Sequence, residues 1–256
     1  TLKLMCSSSS SFRYPNAKED ELEHISFKVG RGQTLAVIGA TGSGKTTLVG
    51  LIPRFYDATD GEVLIDGVNV KDYTFDALYD RLGYVTQKAV LFAGTVQDNV
   101  FFGESAVPET DEVLSDALSL SQAAEFVGKY PEGAEHPIAQ LGRNVSGGQK
   151  QRLSIARALA RKPEILVFDD SFSALDYRTD AALREGLAKE LPDTTKVIVA
   201  QRISTIRHAD QILVLDRGLA VGLGTHDELM QNCDVYREIA LSQLSAAELA
   251  EGGKTE

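Results

Sequence analysis

The chain has 256 residues, 43% apolar and 25% charged, with a formal net charge of −11. That is enough apolar material for a full core, in one large domain or two small ones. The acidic balance argues against nucleic-acid binding, which needs a basic surface, and no apolar run approaches the roughly 18 residues of a membrane span. Cys6 and Cys233 lie far apart and lack metal-ligand spacing, which reads as a reducing compartment without a disulfide framework. His24, His136, His208 and His226 form no ligand cluster. No signal peptide is visible, and the chain as given reads as soluble.

In chain order, Thr1 to Ser11 contains a five-serine run and is expected to be loosely ordered. Thr34 to Ile38 is a short apolar run that reads as a buried strand. The next eight residues are Gly39, Ala40, Thr41, Gly42, Ser43, Gly44, Lys45 and Thr46. They fit the phosphate-cradling pattern G-x-x-x-x-G-K-[ST]. Glycines are needed there because the backbone must curl until several N–H groups face one phosphate chain. Lys45 can set its ammonium between the β- and γ-phosphates, and the Thr46 hydroxyl can ligate Mg²⁺. A helix from Thr47 to Leu51 would point its N-terminus at the phosphates.

Gly61 to Val70 holds two alternating runs joined at Asp66-Gly67, a hairpin signal. Phe75 to Leu82 reads as a helix, Gly83 to Thr86 as a strand, and Asp111 to Lys129 as helix in two pieces. Ser146 caps a long helix to about Ala160, and Pro163 ends that segment. Ile165 to Asp169, Lys196 to Ala200 and Gln211 to Leu215 are β-branched runs expected as buried parallel strands. Thr225-x-x-Glu228 is a capping box opening the last helical region. The fold class is α/β. One domain is expected over 1–245, with 1–88 and 161–245 as core and 89–160 as a helical subdomain. A disordered tail is expected over 246–256.

A second constellation, Ser146, Gly147, Gly148 and Gln149 followed by Lys150-Gln-Arg152, resembles the signature motif of ABC (ATP-binding cassette) transporter nucleotide-binding domains. The resemblance covers nearly all of 12–244. It implies a P-loop NTPase fold with a RecA-like core, an N-terminal antiparallel β subdomain and a helical subdomain carrying the signature. It also implies two domains packed head to tail, each ATP held between one domain's phosphate loop and the other's signature.

Further roles follow from the same resemblance. Ile165 to Asp170 looks like the Walker B strand, with Asp169 holding Mg²⁺ through water. Gln87 matches the glutamine that contacts Mg²⁺ and the attacking water. Tyr14 matches the aromatic that stacks on adenine, and Thr47 extends the phosphate loop. Ser173 to Asp176 matches the loop that crosses the dimer interface, where Asp176 also reads as a helix N-cap. Gly94 to Asn99 and Pro53 to Tyr56 look like exporter-type domains. ATP and Mg²⁺ are the implied cofactors. The implied partners are a second such domain and transmembrane domains, placing the chain at the cytoplasmic face of a membrane.

Three positions depart from the family pattern. A glutamate that polarises the attacking water is replaced by Asp170, whose carboxylate is withdrawn by about 1.5 Å, one C–C bond. General-base contact needs about 2.6–3.2 Å, and a positioned base is worth about 10²–10⁴ in rate. The switch segment Val199 to Thr205 carries Gln201 where histidine is usual. Glutamine can donate to a γ-phosphate but cannot carry charge near neutral pH, and His208 lies too far on to substitute. Ala139 to Asn144 lacks the carboxylate that exporters carry before the signature. The pattern resembles the degenerate half of a heterodimeric exporter, with weak hydrolysis at its own site. Two alternatives stay open: a non-transport ABC ATPase acting on DNA or ribosomes, and a purely regulatory nucleotide-binding module. The single cassette, the acidic charge and the roughly hundred residues between Lys45 and Ser146 count against the first.

Overall fold

In a computed structural model, residues 3–243 are described, apart from the side chains of Lys3 and residues 5–9. The expected tail, 246–256, lies outside the described residues. The described residues form two compact units: 3–74 with 195–243, and 75–194.

The first unit begins with β1 (Lys3–Phe12), β2 (Leu22–Gly30) and β3 (Thr34–Gly39), then α1 (Lys45–Gly50), β4 (Asp60–Ile65) and β5 (Val68–Asn69). The serine run was expected to be loose, and it is a strand. β1 pairs antiparallel with β2 on one side and β4 on the other, with register shifts around Ser10. Pairing on both edges takes up much of its backbone hydrogen bonding and overrides the weak strand preference of serine, which local sequence does not reveal. Gly61 permits the close approach: its Cβ would lie 2.7 Å from the Ser10 Cα. The β4–β5 hairpin turns at Asp66 and Gly67, with φ of 55° and 82°, both in the left-handed region such a two-residue turn requires.

The second unit holds α2 (Phe75–Tyr79), β6 (Leu82–Val85), β7 (Gly94–Thr95), α3 (Val96–Val100), α4 (Asp111–Leu120), α5 (Ala124–Val127), β8 (Pro137–Ile138), α6 (Gly147–Ala160), β9 (Ile165–Asp169) and α7 (Tyr177–Glu190). The first helix ends at Tyr79, earlier than its apolar pattern suggests, because Leu82 is taken into β6. β6 pairs parallel with β9, and β7 antiparallel with β8. Leu153 and Ile155 of α6 and Leu166 and Phe168 of β9 are fully buried, so the signature helix is part of this unit's core.

The chain then returns to the first unit with β10 (Thr195–Val199), α8 (Ile203–Ile206), β11 (Gln211–Asp216), β12 (Leu219–Gly224), α9 (His226–Asn232) and α10 (Asp234–Gln243). β3 lies between β10 and β11, parallel to both. β12 pairs antiparallel with β11 and meets β2 at Leu219 and Glu23. The middles of all three strands, Leu35 to Ile38, Val197 to Val199 and Ile212 to Leu215, are apolar and buried, as strands covered on both faces must be. No helix among the described residues is long and apolar enough to cross a membrane.

Candidate nucleotide site

In the first unit β3 ends at Gly39, and the loop 40–44 leads into α1. Gly42 and Gly44 take φ of 79° and 93°, conformations that favour glycine. A Cβ on Gly39 would run into the Leu215 carbonyl oxygen of β11 and lie 2.6 Å from Ser43 Oγ. A Cβ on Gly42 would meet nothing within 4 Å, so the loop is packed against its strand yet open where a ligand would approach. Lys45 Nζ donates to the Gly39 and Ala40 carbonyls at 2.9 and 2.6 Å and reaches Ser43 Oγ at 3.4 Å. The ammonium is therefore held inside the curve of the loop. Open glycine backbone, a cation and the Thr46 hydroxyl make a donor set that fits a polyphosphate with its Mg²⁺.

Tyr14 packs edge-on against Phe12 and Tyr56, with ring centroids 4.8 and 5.2 Å apart. Its hydroxyl lies 2.9 Å from Thr47 Oγ1, which ties the aromatic to α1. Burial pushes the Tyr14 phenol above its ordinary value. Gln201 follows β10, and its carbonyl accepts from Gln243 Nε2 at 2.8 Å.

In the second unit Asp169 and Asp170, 4% and 6% exposed, stand at the carboxyl end of β9. Asp169 Oδ2 accepts from the Tyr84 hydroxyl at 3.2 Å, and Asp170 Oδ2 accepts from Gln87 Nε2 at 2.9 Å. The structure thus brings together two residues that sequence could only place in a common role. Asp170 has a φ of 49°, a left-handed conformation that aspartate tolerates better than longer side chains. Among the described residues no three His, Cys, Asp or Glu gather as a metal cluster. Mg²⁺ needs no such cage, since it keeps several waters beside one or two carboxylates and substrate phosphates.

The signature residues form a capping box at the start of α6. Ser146 Oγ accepts from the Gln149 N–H at 3.3 Å, and Gln149 Oε1 from the Ser146 N–H at 2.8 Å. Gly147 has open space where a side chain would stand, and a Cβ on Gly148 would lie 3.4 Å from the Ala174 carbonyl oxygen. Asp176 caps α7 through the Thr179 N–H at 2.9 Å, and that bond holds its carboxyl below the usual range.

Sequence reading missed the groups that hold these residues in place. Gln151, 2% exposed on α6, donates to the Thr86 carbonyl beside Gln87 at 3.2 Å. Arg157 donates to the Asn99 and Val90 carbonyls at 2.7 and 3.1 Å and to Asn99 Oδ1 at 3.1 Å. Burial brings the Arg157 guanidinium down to about 10, still protonated at neutral pH. A polar residue on the apolar stripe of α6 was the available signal for both.

A phosphate-binding loop at the end of a parallel strand, and a glycine-led helix in a separate α/β unit, define a nucleotide-binding class of protein. Residues 22–173 match the family model described as ABC transporter. An uncharacterised ABC transporter ATP-binding protein of Mycobacterium tuberculosis (strain H37Rv) is 45% identical over 240 residues, 93% of this chain and 40% of that protein. YgaD of Bacillus subtilis (strain 168), a candidate multidrug export ATP-binding/permease protein, is 42% identical over 229 residues, 90% of this chain and 39% of that protein. The structure of a bacterial Atm1-family ABC exporter with ATP bound superposes with a TM-score of 0.88 at 33% identity, over 94% of this chain and 42% of that one. The chain belongs to the ABC transporter family and has the ABC ATPase fold. It spans about 40% of the length of these relatives.

Proposed function

We propose that this chain is the ATP-binding domain of an ABC exporter, that it works by ATP-dependent closure against a second such domain, and that its own site hydrolyses ATP weakly. Family membership, a relative named for multidrug export and a structural neighbour that is an exporter support the first part. In this reading Lys45 and the loop amides take the phosphates, and Tyr14 takes the adenine. Thr46, Gln87 and Asp169 hold Mg²⁺, which when bound neutralises charge on the phosphates. Ser146 to Gln149 and Asp176 serve the nucleotide of a non-identical partner domain. Transmembrane domains are engaged through residues 88–103, at the cytoplasmic face of the membrane. Two bound ATP molecules then shift the population toward the closed pair.

The observation that carries the weak-site reading is the Gln87–Asp170 hydrogen bond. Asp170 is already the shorter carboxylate, and one of its oxygens is committed to the glutamine amide rather than presented to a water. Gln201 adds no titrating group near neutral pH.

Steady-state hydrolysis tests this directly. The wild-type chain should bind Mg·ATP and turn over far below the roughly 1–10 s⁻¹ of ordinary enzymes. Asp170→Glu combined with Gln201→His should raise the rate at least about 10²-fold, the lower end of what a positioned base contributes. Because Glu at the φ of residue 170 adds backbone strain, a thermal melt of the double variant accompanies the assay. Fast turnover by wild type, or a flat rate in a well-folded double variant, rejects the weak-site reading.

A further inference from the structure

We propose that Gln243, at the end of α10, is a positioning residue for the segment carrying Gln201, so that α10 sets how this segment meets a nucleotide's terminal phosphate. The idea rests on the proposed role of Gln201 toward a γ-phosphate, but the contact itself is plain in the structure.

Gln201 lies between two pins. Upstream, the Ala200 N–H donates to the Val37 carbonyl of β3 at 3.2 Å, the strand that runs directly into Gly39. Downstream, the chain leaves the sheet and enters the four-residue α8. The first N–H groups of a helix need outside acceptors, and Arg202, in the N-cap position, provides no side-chain bond. Gln243 fills that place. Its Oε1 accepts from the Ile203 N–H at 2.9 Å, and its Nε2 donates to the Gln201 carbonyl at 2.8 Å. One carboxamide therefore closes the backbone on both sides of Arg202.

The amide is suited to this by chemistry. It donates and accepts at once, whereas a carboxylate only accepts and an ammonium only donates. Its own position is fixed by the helix that bears it. Tyr236 and Ala240 are fully buried, and the spacing 236, 240, 243 puts Gln243 on the same face, one turn further on. The Tyr236 hydroxyl lies 2.8 Å from His226 Nδ1, which fastens α10 to α9. A displacement of α10 would thus be felt first at the carbonyl of Gln201 and the amide of Ile203.

The test compares the 256-residue chain with Gln243→Leu, which loses both bonds, and Gln243→Glu, which keeps size and acceptor but loses the donor. Two quantities are read: the ratio of Mg·ADP to Mg·ATP dissociation constants, and hydrogen exchange at the Ile203 amide. The expected result is an ATP-over-ADP preference reduced about 3- to 10-fold in both variants, the worth of one net hydrogen bond, with a melting temperature lowered by no more than the few degrees that losing such bonds costs. Ile203 should exchange faster in Gln243→Leu. An unchanged ratio, or equal weakening of ATP and ADP, overturns the proposal, since a merely structural residue would act on both nucleotides alike. Unchanged exchange at Ile203 overturns it too, independently of nucleotide. If wild type itself did not distinguish ATP from ADP, the γ-phosphate role of Gln201 would fall, while the exchange measurement would still decide the contact.

Discussion

Gly39 shows how one atom can be forbidden. The next-door strand β11 places the Leu215 carbonyl where any side chain at 39 would have to stand. Gly39→Ala should therefore lower the denaturation midpoint, at a cost of about 1–3 kcal/mol for overpacking, and abolish Mg·ATP binding measured by titration calorimetry. Retained binding would show that the loop tolerates displacement from its strand. The spacing of the loop glycines was readable in the sequence because the motif is contiguous. The identity of the obstacle was not, since Leu215 comes from a distant part of the chain. Asp170 behaves similarly. Its departure from glutamate is visible in one line of letters, yet its bond to Gln87 depends on β6 and β9 lying side by side.

At the scale of elements, α6 joins several duties. Its N-terminus is the signature, its apolar face is core, and Arg157 fastens segment 90–99 to it through three hydrogen bonds. Arg157→Lys keeps the charge but cannot reproduce the planar fork. It should strand at least one acceptor at buried Asn99 and cost about 1–3 kcal/mol in chemical denaturation. A change below about 0.5 kcal/mol, the range of ordinary surface substitutions, would mean that those carbonyls find other donors. Elements with local causes were legible. The cap at Ser146, the capping box at Thr225 and the turn at Asp66-Gly67 are specified by neighbours in sequence and appear where expected. The serine-rich β1 was not legible, because its order comes from two partner strands rather than from its own residues. Gln151, Arg157 and Gln243 escaped for the same reason: each acts on a backbone group far along the chain.

For the molecule as a whole, the proposed division of labour between paired domains makes a complementation test available. A chain carrying Asp170→Glu, Gln201→His and Ser146→Arg has a repaired catalytic position but a spoiled signature, so alone it should hydrolyse ATP feebly. Adding wild-type chain, whose signature is intact, should raise the rate severalfold, toward that of the double variant. If the mixture only averages its components, the signature of one copy does not serve the other, and the head-to-tail reading fails.

The order of strands around β3 also governs the timing of synthesis. Both neighbours of that strand, β10 and β11, come after residues 75–194 in the chain, whereas the loop it supports follows β3 directly. On the ribosome, residues 75–194 emerge as a continuous stretch and can condense by themselves, while β3 waits with both edges unpaired. A nascent polypeptide stalled before residue 195 would thus carry every letter of the triphosphate motif without the scaffold that shapes it, and nucleotide could stabilise the product only once β10 and β11 have followed.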